Sequence, residues 1–394
     1  MGIFEIKAGI FSVGALHWDR RLFDELIPLP DGTTYNAYLV KGSGKTALID
    51  TVDPEKVQDL IDHLNELKIK KIDYLIANHA EQDHSGSLAR MLELFPAAKV
   101  VTNAKCRDFL KDLLLIPEDK FITVQDRETL SLGSYTLEFI LTPWVHWPET
   151  MVTYLREEKI LFSCDFFGSH LAASRLFTEE EEIVIRSAKR YFAEIMMPFR
   201  SSIRTNLEKL DGIPISMIAP SHGPVYTRPD FVIRAYKDWT SDQVKNEVLL
   251  PYVSMHGSTA RMAGYFTEAL MRRNITVKPF NLTKTDLGEL AINLVDAATI
   301  VLGTPMVLAG PHPAAVYAAF LVNALRPKTK FLSLIGSFGW GGRLAETITG
   351  MLTNLKAEVL PQVLVKGYPK ADGLKALDQL ADQILLKHQE LKIT

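Results

Sequence analysis

The sequence predicts two α/β domains in series, the second of them a doubly wound, five-stranded parallel sheet. Three observations lead there. The chain has 394 residues, 47% of them apolar, which is long for a single core and sufficient for two. Beyond residue 247, short apolar runs alternate regularly with helical patterns, as in consecutive βα units. Before it, strand-like runs are separated by turn residues and several of them end on an isolated His, Asp or Glu. The expected domains are residues 1–246 and 247–394.

Composition narrows the function. A net charge of −3 argues against a nucleic-acid-binding surface. The two cysteines, Cys106 and Cys164, have neither close pairing nor metal-ligand spacing. A disulfide framework, a rubredoxin-type iron site and an iron–sulfur cluster are therefore unsupported, and a reducing, cytoplasmic compartment is expected. The first seven residues lack the features of a secretory signal. No Asp, Glu, Lys or Arg occurs between Asp296 and Arg326, a length that could cross a bilayer. Gly303, Pro305, Gly310, Pro311 and Pro313 divide that segment into a strand, a loop and a helix, so it reads as buried and not membranous.

In the first domain, apolar runs at 35–40 and 46–50 are set apart by Pro30-Asp31-Gly32 and Gly42-Ser43-Gly44, and read as strands. Pro54 opens a helix to about residue 67, with Val57, Leu60, Ile61, Leu64 and Leu67 on one face. The run at 74–77 is a strand that leads into residues 78–86, Asn-His-Ala-Glu-Gln-Asp-His-Ser-Gly. An extended chain there places His79, Glu81 and Asp83 on one side with period two, and His84 follows at the start of a helix. Imidazoles and carboxylates at this density, with no thiolate, suit zinc, iron or manganese.

Helices are expected at 88–95, 106–115, 179–191 and 229–239, and strands at 99–102, 121–124, 136–141, 151–155, 159–163 and 215–219. Three further donors stand at their ends or between them: His146, Asp165 and His222. Each alone reads as a satisfied buried polar group. Together with the four upstream they form a metal-binding set.

These residues resemble the metallo-β-lactamase superfamily, whose motif is His-x-His-x-Asp-His followed by a distant His, Asp and His. Glu81 stands where the hydrolases have their second histidine, and on that substitution the chain is identified as a member of the flavodiiron proteins. The resemblance implies an αββα sandwich of two sheets flanked by helices. It also implies a di-iron site in which His79, Glu81 and His146 bind one iron, Asp83 and His222 the other, and Asp165 bridges them. His84 is left open, because family members differ in whether this histidine reaches the metal.

In the second domain, strands are expected at 248–253, 276–280, 298–302, 330–335 and 358–363, with ligands at their carboxyl ends. The loop Ser254-Met255-His256-Gly257-Ser258-Thr259 can aim backbone amides and hydroxyls at a phosphate on a helix N-terminus. Simple helix capping is its alternative reading. It lacks the Lys of a nucleotide P-loop and the spacing of a dinucleotide fingerprint. Two later loops carry Thr304, Pro305 and Met306, and Ser337, Phe338, Gly339, Trp340 and Gly341. The resemblance here is to flavodoxin, whose first loop holds the FMN phosphate while the later two flank the ring. Trp340, set among glycines, reads as a stacking residue, or else as a surface or subunit contact.

The resemblance implies an oxidoreductase that reduces dioxygen to water, nitric oxide to nitrous oxide, or both. FMN would take electrons from an external donor, either rubredoxin or a reduced deazaflavin. The alternatives are a zinc hydrolase with a flavodoxin-like appendage, working by metal-bound hydroxide, and a flavin carrier with a redundant first domain. The chain departs from the family at Phe23-Asp24-Glu25-Leu26, where many members read Phe-His-Gly-Tyr, and at Phe192-Ala193-Glu194, where they read Tyr-Ala-Asn. Two tyrosine hydroxyls near the substrate are then expected to be missing, and His170, matched in some members, is expected to substitute as a catalytic group. The short connection near Asn246 and the charge-free stretch 297–325 lead us to expect a head-to-tail homodimer, or a dimer of such dimers; that one subunit's flavin serves the other's irons is what the resemblance implies.

Overall fold

The computed structural model describes residues 2–394. The chain forms two compact units. The first runs to Tyr191 and resumes from Phe199 to Thr240; the second comprises Ser241–Thr394 together with Phe192–Pro198.

In the first unit, among the described residues, a seven-stranded sheet runs in the order Phe4–Lys7, Ile10–Ser12, Tyr38–Lys41, Thr46–Ile49, Tyr74–Ile76, Lys99–Thr102 and Phe121–Thr123. A second sheet runs Thr129–Ser131, Thr136–Leu141, Met151–Leu155, Ile160–Cys164 and Met217–Pro220. The alternation of side chains along a strand makes this a layered structure. Tyr38, Val40, Ala47, Ile49, Ile76 and Val101 pack against Leu137, Phe139, Met151, Leu155 and Phe162 of the second sheet. Their neighbours Leu39, Leu48, Leu75 and Val100 face the other way and meet Leu60, Leu64, Leu88, Met91 and Leu110. Those partners lie on helices Val57–Glu66, Leu88–Leu94 and Ala104–Leu114. Strands buried on both faces are why the sequence shows continuous apolar runs here. Each fully buried Leu or Val contributes about 1.5–3 kcal/mol. The architecture is the expected αββα sandwich.

Two elements escaped the sequence reading. Strand Thr129–Ser131 is a short edge strand with exposed Thr129 and Ser131. Helix Arg200–Leu210 buries Ile203, Leu207 and Leu210, spaced as a helix requires, but its many polar residues mask the pattern.

The second unit is a parallel sheet in the order Thr276–Asn281, Lys245–Tyr252, Ala297–Val307, Phe331–Phe338, Glu358–Val359, the 2-1-3-4-5 arrangement of a doubly wound fold. Three details correct the expectation. The fifth strand is interrupted and resumes as Val363–Lys366, since Pro361 offers no N–H to the ladder; its carbonyl instead accepts from Ser333 Oγ at 2.6 Å. The third strand extends through Thr304, Pro305 and Met306, turns at Leu308 and Ala309 (φ 52° and 61°) and pairs back with Gly310–Pro311. These residues thus lie on a hairpin arm and not in a loop. The fourth strand likewise includes Ser337 and Phe338. The charge-free stretch is the strand Ala297–Val307, its returning arm, and the helix Pro313–Leu325. Among the described residues no helix is long and apolar enough to cross a membrane.

Candidate functional site

The metal-type donors converge at strand ends of the first unit. His79 follows Tyr74–Ile76, which is parallel to both of its neighbours. Asp165 and His222 follow Ile160–Cys164 and Met217–Pro220, a parallel pair with Ile160 opposite Met217. His146 comes from the connection between Thr136–Leu141 and Met151–Leu155. The start of the donor segment is anchored by Asp50, whose two carboxylate oxygens accept from the backbone N–H and the side-chain amide of Asn78, each at 2.9 Å. The strand ends at Ile76 and the short helix Gln82–Ser85 already contains Asp83. Asp83 is therefore carried to the site by a helical turn and not by extended alternation, which corrects the expected geometry of that segment.

Among the described residues three overlapping donor groups result, one of them His84, Cys164 and Asp165; burial pushes the Cys164 thiol well up, which leaves two groups of imidazole and carboxylate. His79, Glu81, His146 and Asp165 form one; Asp83, His84 and His222 form another, and Asp165 touches both. In the first, Glu81 Oε2 lies 3.1 Å from His79 Nε2 and 3.0 Å from His146 Nε2, and Asp165 Oδ2 lies 3.5 Å and 3.4 Å from the same nitrogens. In the second, His222 Nε2 is 3.0 Å from Asp83 Oδ2, and His84 Nε2 is 3.3 Å from Asp83 Oδ1. The other Asp165 oxygen, Oδ1, is 2.9 Å from His84 Nε2 and 3.5 Å from His222 Nε2. One carboxylate thus presents one oxygen to each group. His84, left open by the sequence, turns its Nε2 toward the second.

Both Asp83 oxygens, both Asp165 oxygens and both His84 nitrogens are buried without a hydrogen bond of proper angle, although the distances above are short. Carboxylate oxygens and the His84 Nε2 that approach one another this closely without a mutual hydrogen bond are what ligands of a common ion would show. The donor set, imidazole and carboxylate without thiolate, fits two divalent ions of the zinc, iron or manganese type.

Surrounding groups orient these ligands. His79 Nδ1 lies 2.7 Å from Glu149 Oε1, which also accepts from Ala80 N at 3.1 Å. His222 Nδ1 donates to the Thr34 carbonyl at 2.6 Å. Such partners fix which imidazole nitrogen faces the metal. Sequence reasoning passed over Glu149, and its place three residues after His146 was the one available signal.

The electrostatics agree. Burial opposes ionisation of Asp165, yet the imidazoles of His84 and His146 hold its carboxyl well below the usual range. Burial likewise opposes a charge on His84, but Asp165 and Asp83 push its pKa up to about 9. Burial opposes a charge on His146 too, but the Asp165 and Glu81 carboxylates beside it raise its pKa to about 9. Glu149 and Glu81 do the same for His79, and Glu81 is in turn depressed by His146 and His79 despite burial. Without a cation His79, His84 and His146 retain protons, and metal binding would displace them.

The second unit holds a cleft of about 150 Å³ at the carboxyl ends of its strands. Of the expected residues, Ser254, His256, Ser258, Thr259, Pro305, Met306, Ser337, Phe338 and Gly339 line it, and Met255 and Gly367 join them. Gly257 caps helix Ser258–Met271 in left-handed backbone, φ 88°, a conformation natural to glycine. Thr259 Oγ1 meets Ser337 Oγ at 3.1 Å, so the first and fourth strand ends are tied. Thr304 is buried and its hydroxyl accepts from His312 N at 3.1 Å; Trp340 is 68% exposed, and neither it nor Gly341 is among the lining residues. A helix N-terminus with hydroxyls beneath a hairpin arm and a glycine turn fits a phosphate-bearing planar cofactor.

Comparison with known proteins completes the picture. The ODP family beta lactamase model matches residues 33–223. The coenzyme F420H(2) oxidase of Methanothermobacter marburgensis is 34% identical over 388 residues, covering 94% of this chain and 95% of that protein. The nitric oxide reductase of Moorella thermoacetica is 33% identical over 388 residues, covering 96% and 97%. Among solved structures, rubredoxin oxygen:oxidoreductase from Desulfovibrio gigas superposes with a TM-score of 0.95 at 30% identity, covering 98% of this chain and 99% of that one. The flavodiiron protein from Giardia intestinalis does so with 0.91 at 27%, covering 98% of each.

The chain belongs to the flavodiiron family. As a flavodiiron protein it is an oxidoreductase, and the geometry can be read at the positions where it departs from its relatives. Leu26 is exposed and Phe192 fully buried, and neither offers a hydroxyl. Tyr191, one residue earlier, packs its ring 4.9 Å from His170 and 5.8 Å from His222. Burial and then the Asp165 charge raise its hydroxyl well above the ordinary value. A tyrosine from a different position therefore stands beside this centre. His170 is buried 4.5 Å from the His222 ring. Its Nδ1 is 2.8 Å from Thr33 Oγ1, and its Nε2 has no hydrogen-bond partner among the described residues.

Proposed function

We propose that this flavodiiron protein is an FMN- and di-iron-dependent reductase of dioxygen, nitric oxide or both. The observation that carries the reading is Asp165, with one oxygen toward each donor group, in a set where Glu81 replaces a histidine of the hydrolases. Three carboxylates, Glu81, Asp83 and Asp165, nearly neutralise two ferrous ions and leave room for a small ligand. When bound, the irons supply a redox-active seat for a diatomic gas and FMN supplies electrons one or two at a time. The chain's own contribution is positional. His79, Glu81 and His146 hold one ion, Asp83, His222 and His84 the other, and Glu149 and the Thr34 carbonyl set the imidazole orientations. His170, held neutral by burial and by the neighbouring His222, can turn Nε2 to the substrate as a catalytic hydrogen-bonding group.

Ser254, Gly257, Ser258 and Thr259 would hold the FMN phosphate, and Met306, Ser337, Gly339 and Trp340 the ring. An external donor feeds the flavin. One similar protein is named for rubredoxin and another for coenzyme F420H(2), and these are the two donors to try. A zinc hydrolase is the lesser reading, disfavoured by Glu81. We also propose a head-to-tail homodimer with a cytoplasmic location, supported by the exposed Tyr317 and Phe320 on the charge-free helix Pro313–Leu325. A fully active monomer in dilute solution would exclude the dimer. The deciding experiment for function is metal and flavin quantitation, followed by anaerobic nitric oxide turnover against oxygen consumption under one reductant. Zinc-filled protein without turnover of either gas would overturn the reading.

A further inference from the structure

A cleft of about 460 Å³ opens on the first unit, outside the metal donors. Trp18, Leu171, Ala172, Ala173, Phe177 and Val184 give it an apolar lining. Its charged residues, Arg175, Glu179 and Glu180, are all exposed, and Arg175 pairs with Glu179. A space of this size and lining suits a small apolar molecule. One wall of it leads inward. Helix Glu181–Tyr191 carries Val184, Ser187 and Tyr191 at spacings of three and four, hence on one face, and all three are buried. Val184 lines the cleft, Ser187 Oγ donates to the His170 carbonyl at 2.9 Å, and the Tyr191 ring lies 4.9 Å from the His170 ring. From Val184 to Tyr191 the helix rises about 10 Å. Two other lining residues also adjoin the centre along the chain, since Leu171 directly follows His170 and Pro224 comes shortly after His222.

The two donor groups differ in how solvent reaches them. Glu81 and His146 keep 13% and 11% of their side-chain surface, whereas Asp83, His84, Asp165 and His222 keep 4% or less. Water and charged ligands therefore meet the first group, and the second is closed to them. A diatomic gas is apolar and leaves water readily for a nonpolar space; dry apolar cavities in proteins take up xenon for the same reason. Ala172 and Ala173, with one methyl group each, obstruct such a molecule least.

We propose that this cleft is the port by which the diatomic gas enters, passing along the inner face of helix Glu181–Tyr191 to His170 and the second donor group. This rests on the reductase reading. His170, with its ring 4.5 Å from that of His222, stands at the inner end of the passage. Gas and charged species are thereby separated, because Glu81 and His146 remain the polar approach to the centre.

The test uses the holoenzyme with metal and flavin bound. Crystals held under xenon pressure are expected to show xenon in the cleft, among Trp18, Ala173 and Val184. Two variants obstruct the passage, Ala173→Phe from the wall and Ile183→Trp from an exposed lining position of the helix, with Glu180→Gln as a control on the rim. After rapid mixing of the reduced protein with limiting nitric oxide or oxygen, each obstruction is expected to slow association about tenfold, within the span that on-rates cover among variants of one protein. The KM for the gas should rise while kcat holds. Binding of azide, a hydrated anion, to the oxidised protein should keep its parental rate, and Glu180→Gln should match the parent throughout. Ile183→Trp leaves the core intact, so the test stands even where Ala173→Phe does not fold. A cleft without xenon would overturn the proposal. So would parental gas association in the obstructed variants, which would make any xenon in the cleft an adventitious additive only. Gas and azide slowed alike would overturn it too, by placing the effect in the metal site. If the unmodified protein reduces neither gas, the reductase reading fails; xenon and nitric oxide association then still decide whether the cleft admits an apolar gas.

Discussion

Glu149 accepts a hydrogen bond from Nδ1 of His79 at 2.7 Å while the opposite nitrogen of that ring, Nε2, faces Glu81 and Asp165. The carboxylate fixes the tautomer and strengthens the imidazole as a ligand. Replacing it, Glu149→Ala, is expected to weaken metal binding by about 10–100-fold without unfolding the sandwich. A chelator-competition titration measures this, and unchanged affinity would show that His79 needs no such support.

Glu81→His adds a third imidazole to the first donor group, where Glu81 now lies 3.0 Å from His146 and 3.1 Å from His79. Softer nitrogen donors favour zinc over iron in such a site. The variant should purify with more zinc, lose gas reduction and keep its flavin, because the cleft is in the other unit. Iron occupancy and turnover like those of the parent would contradict this.

Ser258→Ala with Thr259→Ala removes two hydroxyls from the start of helix Ser258–Met271 and breaks the 3.1 Å contact between Thr259 and Ser337. Flavin retention should fall by about tenfold or more, at roughly 1 kcal/mol or more per lost hydrogen bond, with metal content unchanged. Flavin-to-protein absorbance ratios after dialysis test it. Full retention would mean that the phosphate lies elsewhere.

His388 is fully buried in the second unit, with Nε2 at 2.7 Å from Thr299 Oγ1 and Nδ1 at 2.8 Å from Asn246 Oδ1. Burial lowers its pKa to about 4, below the 6.5 or so of an unfolded chain. Between those values the unfolded chain binds a proton that the native one does not. The stability His388 contributes is therefore complete above about pH 6.5 and is lost as pH falls toward 4. Urea midpoints across that window should fall more steeply for the parent than for His388→Gln, even though the variant starts lower. Parallel slopes would remove His388 as the cause.

The two units differ in how far local pattern reached. The parallel strands of the second unit are apolar runs of the right length between clear breakers, so their positions were legible. What the pattern did not show was that Thr304 to Met306 and Ser337 to Phe338 continue those strands, since extension past the sheet core depends on a hairpin partner, Gly310–Pro311, and not on local propensity. Helix Arg200–Leu210 was hidden because only one narrow side of it is apolar.

At the centre, residue types and spacing were enough to single out candidate donors. His79, Glu81, Asp83, His146, Asp165 and His222 are polar residues at the ends of apolar runs, and a polar group in such a place needs a partner whatever the fold. Which donor faces which was decided by packing across the two sheets. Only the parallel pairing of Ile160–Cys164 with Met217–Pro220 brings Asp165 within 3.5 Å of His222, residues far apart in the chain, and only the helical turn at Gln82–Ser85 points His84 inward. Glu149 and Tyr191 were invisible beforehand for the same reason. Their roles come from what lies beside them in space, and distances across elements are set by the assembled core, whereas chemical character and period are carried by each stretch of chain on its own.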